Sequence, residues 1–130
     1  MSEQPRLDLI WLPGCQAICR LGPKSAVPEW AAGRFLSTTR TADELSIVCD
    51  CDAVPDAVRQ EGPYAIFRVV GSMDLGLVGV LAAIAAPLAA ERISIFAIST
   101  FDTDYVLVRE DDRGRAESAL TGAGHRFLPD

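Results

Sequence analysis

Residues 71–108 read GSMDLGLVGVLAAIAAPLAAERISIFAISTFDTDYVLV, and this stretch decides the fold. A turn of small residues, GSMDLG at 71–76, opens an almost uncharged run of helical length, LVGVLAAIAAPLAAE at 77–91. Two β-like segments follow, ISIFAISTF and DYVLVRE, separated by the polar tip DTD. The spacing predicts a helix over 75–90 and strands over 93–101 and 104–109. Loop, helix and hairpin come as one unit whose small residues stand at the helix N-terminus, a binding geometry more than a catalytic one. The apolar run is shorter than the roughly 20 residues a bilayer span needs, contains Gly76, Gly79 and Pro87, and lies between Asp74 and Glu91, so a buried helix is expected and not a membrane anchor. Being apolar nearly all round, the helix is expected to touch protein on most sides, which makes a homodimer an expectation and sets the site near an interface between lobes or subunits.

Working outward, residues 65–70 precede the turn as a strand. Beyond 109, Ala116, Ala119, Leu120 and Ala123 recur at helical spacing over 113–123, Gly124 stands where the helix should stop, and 125–128 reads as a last short strand. The order strand, helix, strand, strand, helix, strand is the split βαβ, ferredoxin-like arrangement of an α+β protein: an antiparallel sheet with two helices on one face.

Upstream the chain changes character. Residues 53–63, AVPDAVRQEGP, carry two prolines and a glycine with no sustained pattern, and they divide the chain into an N-terminal lobe at 1–62 and a C-terminal domain at 63–130. The first lobe reads as mainly β. Residues 6–11 and 16–21 flank Pro13 and Gly14 as one expected hairpin; 35–41 and 45–51 flank Ala42, Asp43 and Glu44 as another. The stretch PKSAVPEWAAG has room only for a short helical turn around Trp30.

These residues resemble an ACT domain, the small regulatory fold of aspartate kinases and other enzymes of amino-acid metabolism. ELSIVC at 44–49 is similar to a signature of the first lobe of stand-alone tandem ACT proteins, the group that includes the cytosolic arginine sensors of animals. ISIFAISTFDTDYVLV at 93–108 resembles the central hairpin of the second lobe, and is the more specific of the two. With the turn and helix from Gly71 the resemblance spans nearly the whole chain, although the first lobe departs from the pattern in lacking two clear helices. It implies a ferredoxin-like C-terminal half packed with an ACT-like β-rich N-terminal half, and a ligand held between loop and hairpin, often across an interface.

The chemistry of the turn points the same way. A helix N-terminus presents unpaired amides and the positive end of the peptide dipoles, so Ser72, Met73, Asp74, Leu75, Gly76 and Leu77 are expected to hold a carboxylate without a basic side chain. An amino acid's ammonium then needs acceptors, which the carbonyls and side chains around Ile98, Ser99, Thr100 and Asp102 supply. Each residue also has a plainer reading. Asp74 sits at an N-cap, Asp102 and Asp104 flank Thr103 in a turn, with Asp102 the stronger ligand candidate, and Ser99 and Thr100 are ordinary in a strand.

Composition limits the other classes. The chain has 130 residues, 49% hydrophobic and 23% charged, enough for a folded core. Its net charge of −6 comes equally from the two halves, each with nine acids and six bases, so nothing basic is offered to nucleic acid. Cys15, Cys19, Cys49 and Cys51 form one CxxxC and one CxC, not the paired CxxC knuckles of zinc ribbons. On a strand, Cys49 and Cys51 share a face with Leu45 and Ile47, so reduced, packed thiols and no metal are expected, and the start MSEQPRLDLIW lacks a signal-peptide pattern, which makes the expected location cytoplasmic. His125 stands without a nucleophile elbow, HExxH or phosphate loop and reads as a surface or helix-end histidine. The acid pairs Asp50 and Asp52, and Asp111 and Asp112, read as solvated charge. The sequence therefore predicts a non-catalytic protein that needs no cofactor, binds an amino acid or analogue, has no nucleic acid or membrane as partner, and works as a regulatory homodimer. The alternative is an interaction module whose ligand site is vestigial.

Overall fold

The computed structural model describes residues 5–70 and 79–129. The strands in chain order are β1 (Asp8–Trp11), β2 (Gln16–Leu21), β3 (Ser37–Arg40), β4 (Leu45–Asp50), β5 (Arg59–Val69), β6 (Phe96–Ser99), β7 (Asp104–Arg109) and β8 (Arg126–Phe127). The helices are α1 (Val80–Ala90) and α2 (Arg113–Gly122). Contacts divide the chain into two units, Met1–Pro13 with Ala65–Asp130, and Gly14–Tyr64. The smaller unit is one continuous stretch, and the larger is discontinuous, because the first strand belongs with the C-terminal elements.

The larger unit has the expected βαββαβ order. In it β7 pairs with β5 and β6, β1 pairs antiparallel with β5 through Leu9↔Val69 and Trp11↔Phe67, and β8 pairs parallel with β1. β1 therefore occupies the place beside β5, and β8 lies outside it. The alternation Leu7, Leu9, Trp11 on one strand and Ala65, Phe67, Val69 on the other turns both apolar sets to one face. Val106 and Val108 join them, and the helices add Val80, Ala83, Ile84 and Leu88 from α1 and Ala116 and Leu120 from α2. Both helices thus cover the same face of the sheet, as a ferredoxin-like fold requires.

At the centre of this core Phe67 meets Trp11 edge-on at 5.2 Å and Phe127 edge-on at 5.6 Å, while Trp11 and Phe127 stack at 5.1 Å. The indole Nε1–H of Trp11 donates to Glu117 Oε1 at 2.7 Å, and the Arg113 guanidinium lies 4.7 Å over the ring. The polar end of the Trp11 ring is thereby satisfied.

α1 begins after its N-cap Gly79, and the expected helical positions 75–78 lie outside the described residues. It buries one stripe, while Leu81, Ala82, Ala86 and Ala89 are exposed, so among the described residues the helix is covered on one side. At 11 residues it is far from a span, and among the described residues no helix is long and apolar enough to cross a membrane. Both helices end in the same way. After α1 the amide of Arg92 donates to Ala89 O and that of Ile93 to Leu88 O; after α2 the amide of Gly124 donates to Thr121 O and that of His125 to Leu120 O. These are Schellman ends, with the residue after the cap in the left-handed region. Gly124, at φ 101°, takes that place as the sequence predicts, and Arg92 takes it at φ 58°.

The histidine stands at the helix end as expected, but the surface reading is corrected. His125 is 5% exposed: the second Schellman bond turns its side chain inward. Its Nδ1 accepts from the Leu7 amide at 3.1 Å, and its Nε2 lies 2.9 Å from Ala83 O. The Leu7 donor fixes Nδ1 as acceptor, so Nε2 carries the hydrogen given to Ala83 O. That carbonyl is available because the residue four positions on is Pro87, which has no N–H to return.

The smaller unit has the strand order β3-β4-β2-β5 and no α-helix among its described residues, only a 3₁₀ turn at Cys51–Ala53. The second expected hairpin forms, with Ser37↔Val48 through Arg40↔Leu45 in register and Thr41 Oγ1 accepting from the Asp43 and Glu44 amides at the tip. The first does not: β2 pairs with β4 and with residues 59–64 of β5, not with β1. The cause is β5, whose 11 residues extend the expected strand back into the segment that composition marked as a divide. Gly62 permits this, since a Cβ there would lie 3.0 Å from Gln16 O and φ is +153°. Trp30 sits in a turn closed by the Ala31 amide on Pro28 O, and it packs with Ala31 against a core of Ala17, Cys19, Leu45, Ile47, Cys49 and Val54.

Cys19 and Cys49 are buried in that core, and Cys15 and Cys51 are half-buried. Burial pushes the Cys19 thiol up to about 12, with the neighbouring Cys49 adding to it. An unfolded chain releases that proton near pH 8.5 while the folded chain keeps it, so the contribution is complete below that pH and falls as pH rises towards 12. We expect the urea midpoint to drop between pH 8 and pH 10.5, with Cys19 supplying about 1.4 kcal/mol per pH unit. The drop should be shallower in Cys19→Ala; equal slopes in the two proteins would refute the assignment.

Candidate functional site

The β6–β7 hairpin is built around its tip. Ser99 pairs with Asp104 and Ile98 with Tyr105 in register. The Thr100 amide donates to Thr103 O at 2.9 Å, and the Thr100 hydroxyl donates to the same oxygen at 3.0 Å. This closes a four-residue turn in which Asp102 is exposed and Phe101 is 83% exposed.

The turn is tied to the strand that feeds the loop. Thr103 is buried, and its hydroxyl donates to Val69 O at 2.9 Å across 34 residues of sequence. The next amide, that of Val70, donates to Asp8 O at 2.8 Å. Segment 71–78 therefore departs from a point fixed on both sides, by β1 and by the hairpin tip. The chain is again described from Gly79, whose carbonyl accepts the Ala83 amide at 2.9 Å in the first turn of α1. The first amides of the helix have no partner within it, so the end of α1 that follows segment 71–78 offers donors and the positive end of the dipole.

Of the expected ligand residues, Ser72, Met73, Asp74, Leu75, Gly76 and Leu77 lie outside the described residues. The hairpin members are described. Ile98 is half-buried, Ser99 and Thr100 are exposed, and Asp102 points away from the core at the tip. Two residues given less weight by the sequence prove structurally distinctive. Thr103 is the buried pin, and Asp104 is 8% exposed with its Oδ1 accepting from the Ser99 hydroxyl at 2.5 Å. Among the described residues Asp104 has no cationic partner, unusual for a carboxylate so buried. In DTD the two acids look alike; only the pairing of Ser99 with Asp104, which starts β7 one residue after Thr103, turns one inward and leaves the other outside.

Helix amides favour an anionic group, and a buried carboxylate beside a hydroxyl favours a cationic one. The Ser99 hydroxyl meets the Asp104 carboxylate, but among the described residues no third side chain hydrogen-bonds to this pair to orient it as a nucleophile and base.

Comparisons with known proteins agree with the fold. The ACT-domain sequence profile matches residues 60–122, and a second profile, that of an N-terminal domain, matches 14–57. The human cytosolic arginine sensor for mTORC1 subunit 1 is 35% identical over 104 residues, which is 74% of this chain but 32% of that protein. The chain thus spans about a third of the length of the curated relatives it matches. A crystal structure of a protein from Agobacterium tumefaciens is 40% identical, with a TM-score of 0.92 over 97% of this chain and 95% of its own. The regulatory subunit of aspartate kinase from Thermus flavus, 12% identical, shares the fold with a TM-score of 0.62 over 88% of this chain and 95% of its own. The strand order, the paired helices and these matches together make the chain a member of the ACT-domain family, related in sequence to the cytosolic arginine sensors and sharing its fold with the aspartate kinase regulatory subunit.

Proposed function

We propose that this protein is a non-catalytic regulatory subunit or sensor that binds a free amino acid or close analogue at the mouth formed by segment 71–78, the N-terminus of α1 and the β6–β7 tip. The observation that carries the reading is the buried Asp104 carboxylate, which lacks a cationic partner among the described residues and sits beside Thr103, the residue that pins the tip to the start of the loop. The α-carboxylate goes to the helix end and the loop residues Ser72, Met73, Asp74, Leu75, Gly76 and Leu77. An ammonium or other cationic group goes to Asp104 and Ser99, with Ile98, Thr100 and Asp102 around it. The relatives' names support the regulatory class, since one is an arginine sensor and another a regulatory subunit of an amino-acid-pathway kinase. The outward face of α1, with Leu81 39% exposed, supports a homodimer, and the free cysteines fit a reducing, cytoplasmic setting.

Thermal unfolding against each of the twenty amino acids tests the reading. A ligand at 100 times its Kd adds about 2.7 kcal/mol, on the order of 10 °C for a chain of this length. Calorimetry on the ligand so found should show at least a tenfold loss of affinity in Asp104→Asn and a smaller loss in Asp102→Asn. No shift with any amino acid would sink the sensing role. It would favour the second reading, a module that docks a partner protein, for which Phe101 at the hairpin tip is the exposed anchor.

A further inference from the structure

The cysteine spacings contain no metal pattern along the chain, yet the fold assembles a donor set across it. One sulfur atom of Cys15 and one carboxylate oxygen each of Asp50 and Asp52 all lie within 4.8 Å of one another. Cys15 immediately precedes β2, Asp50 ends β4, and Asp52 lies in the 3₁₀ turn that follows. Two backbone features hold them together. The Cys51 amide donates to Cys15 O at 3.1 Å, and the Asp52 amide donates to Asp50 Oδ1 at 3.1 Å, which fixes the Asp50 rotamer. The Cys51 side chain lines the same open depression as Cys15, so a second sulfur adjoins the set. Ala17, Gln60, Gly62 and Pro63 complete the depression, which gives access from solvent.

A further observation stands apart from these donors. Gln16 follows Cys15, pairs in register with Asp50 and is 4% exposed, and its Oε1 has no hydrogen-bond partner among the described residues. Directly opposed residues of an antiparallel pair share a face, so this oxygen is on the Asp50 side of the sheet. A buried acceptor without a donor is rare, and a water on a nearby cation is one donor that would satisfy it.

We propose that Cys15, Asp50 and Asp52, with Cys51 as fourth ligand, bind a divalent cation of the zinc class. Sulfur excludes magnesium and calcium as preferred occupants, while the carboxylates favour a borderline ion such as zinc over monovalent copper. Tetrahedral zinc holds its donors about 3.3–3.8 Å apart at bond lengths of about 2.0–2.3 Å, so the cluster needs to contract by about 1 Å. Asp52 is exposed and free to make that movement. The site joins the ends of β2 and β4 and is separate from the amino-acid site, so its success or failure is independent of that reading.

Titrating the reduced full-length chain with Co²⁺ tests the proposal. The expected result is a thiolate-to-cobalt charge-transfer band with the visible bands of tetrahedral Co²⁺, saturating at one equivalent and displaced by Zn²⁺. Cys15→Ser and Asp52→Ala should each weaken Zn²⁺ binding at least tenfold, and Asp56→Ala, an exposed acid of the same unit, should leave it unchanged. Asp52→Ala keeps the backbone bond to Asp50, so it is expected to fold, which circular dichroism checks. No charge-transfer band overturns the proposal. So does equal affinity in wild type, Cys15→Ser and Asp52→Ala, or an equal loss in Asp56→Ala, since each describes a cation held loosely by surface acids.

Discussion

Phe67→Ala is expected to lower the unfolding free energy by about 4–5 kcal/mol, the largest effect of any single substitution considered for this protein. Phe67 is fully buried, and its ring is the common edge-on neighbour of Trp11 and Phe127. Truncation removes the transfer energy of the ring, leaves a cavity in a close-packed core, and breaks two aromatic contacts worth about 0.5–1.5 kcal/mol each. The lining cannot collapse easily, because β1 and β5 are hydrogen-bonded in register on either side of the pair Trp11↔Phe67. A domain of this size has about 5–15 kcal/mol in total, so the variant should be close to unfolding. Phe67→Leu, which keeps most of the volume, should lose less than half as much. Urea denaturation gives both values, and a loss below about 2 kcal/mol for the alanine variant would mean that the aromatic cluster repacks.

His125→Ala should cost about 3–4 kcal/mol, for a different reason. The side chain joins three parts of the larger unit: the Leu7 amide ahead of β1, the Ala83 carbonyl in α1, and its own position after α2. Removing it leaves a buried donor and a buried acceptor without partners, at about 1–3 kcal/mol each. His125→Phe fills the space without making either bond, so it separates cavity from hydrogen bonding and should recover little. Pro87 gives an internal check. Pro87→Ala restores the amide that Ala83 O lacks, so it should stabilise both backgrounds, and by about 1 kcal/mol more when His125 is absent. Identical effects in the two backgrounds would show that the imidazole and the missing amide are not coupled. In the wild type, nitrogen chemical shifts should report the tautomer with hydrogen on Nε2.

The sequence carried most of the C-terminal fold because its signals there are local. Gly124, the spacing of Ala116 and Leu120, and the apolar alternation of 104–109 each act within a few residues, and β7, α2 and β8 formed where they indicated. The first hairpin misled for the same reason. Pro13 and Gly14 are good turn residues, but β2 found a better-matched partner in an extended β5, and nothing within residues 6–21 announces a strand some forty residues away. His125 was misread because its partners are 118 and 42 residues distant. In the candidate site, the hairpin and the helix were legible as elements, but the different fates of Asp102 and Asp104 were not.

By itself, then, the sequence determined the α+β class, the βαββαβ order and the resemblance to ACT domains, since periodicity, caps and turns act at short range. Tertiary structure alone decided that β1 lies between β5 and β8, that Thr103 pins the hairpin tip to Val69, that Asp104 and His125 are buried, and that Cys15, Asp50 and Asp52 meet. The physical reason is that each of these depends on burial or hydrogen bonding between residues distant along the chain. Such contacts are set by which apolar faces close on one another, and no local pattern encodes that choice.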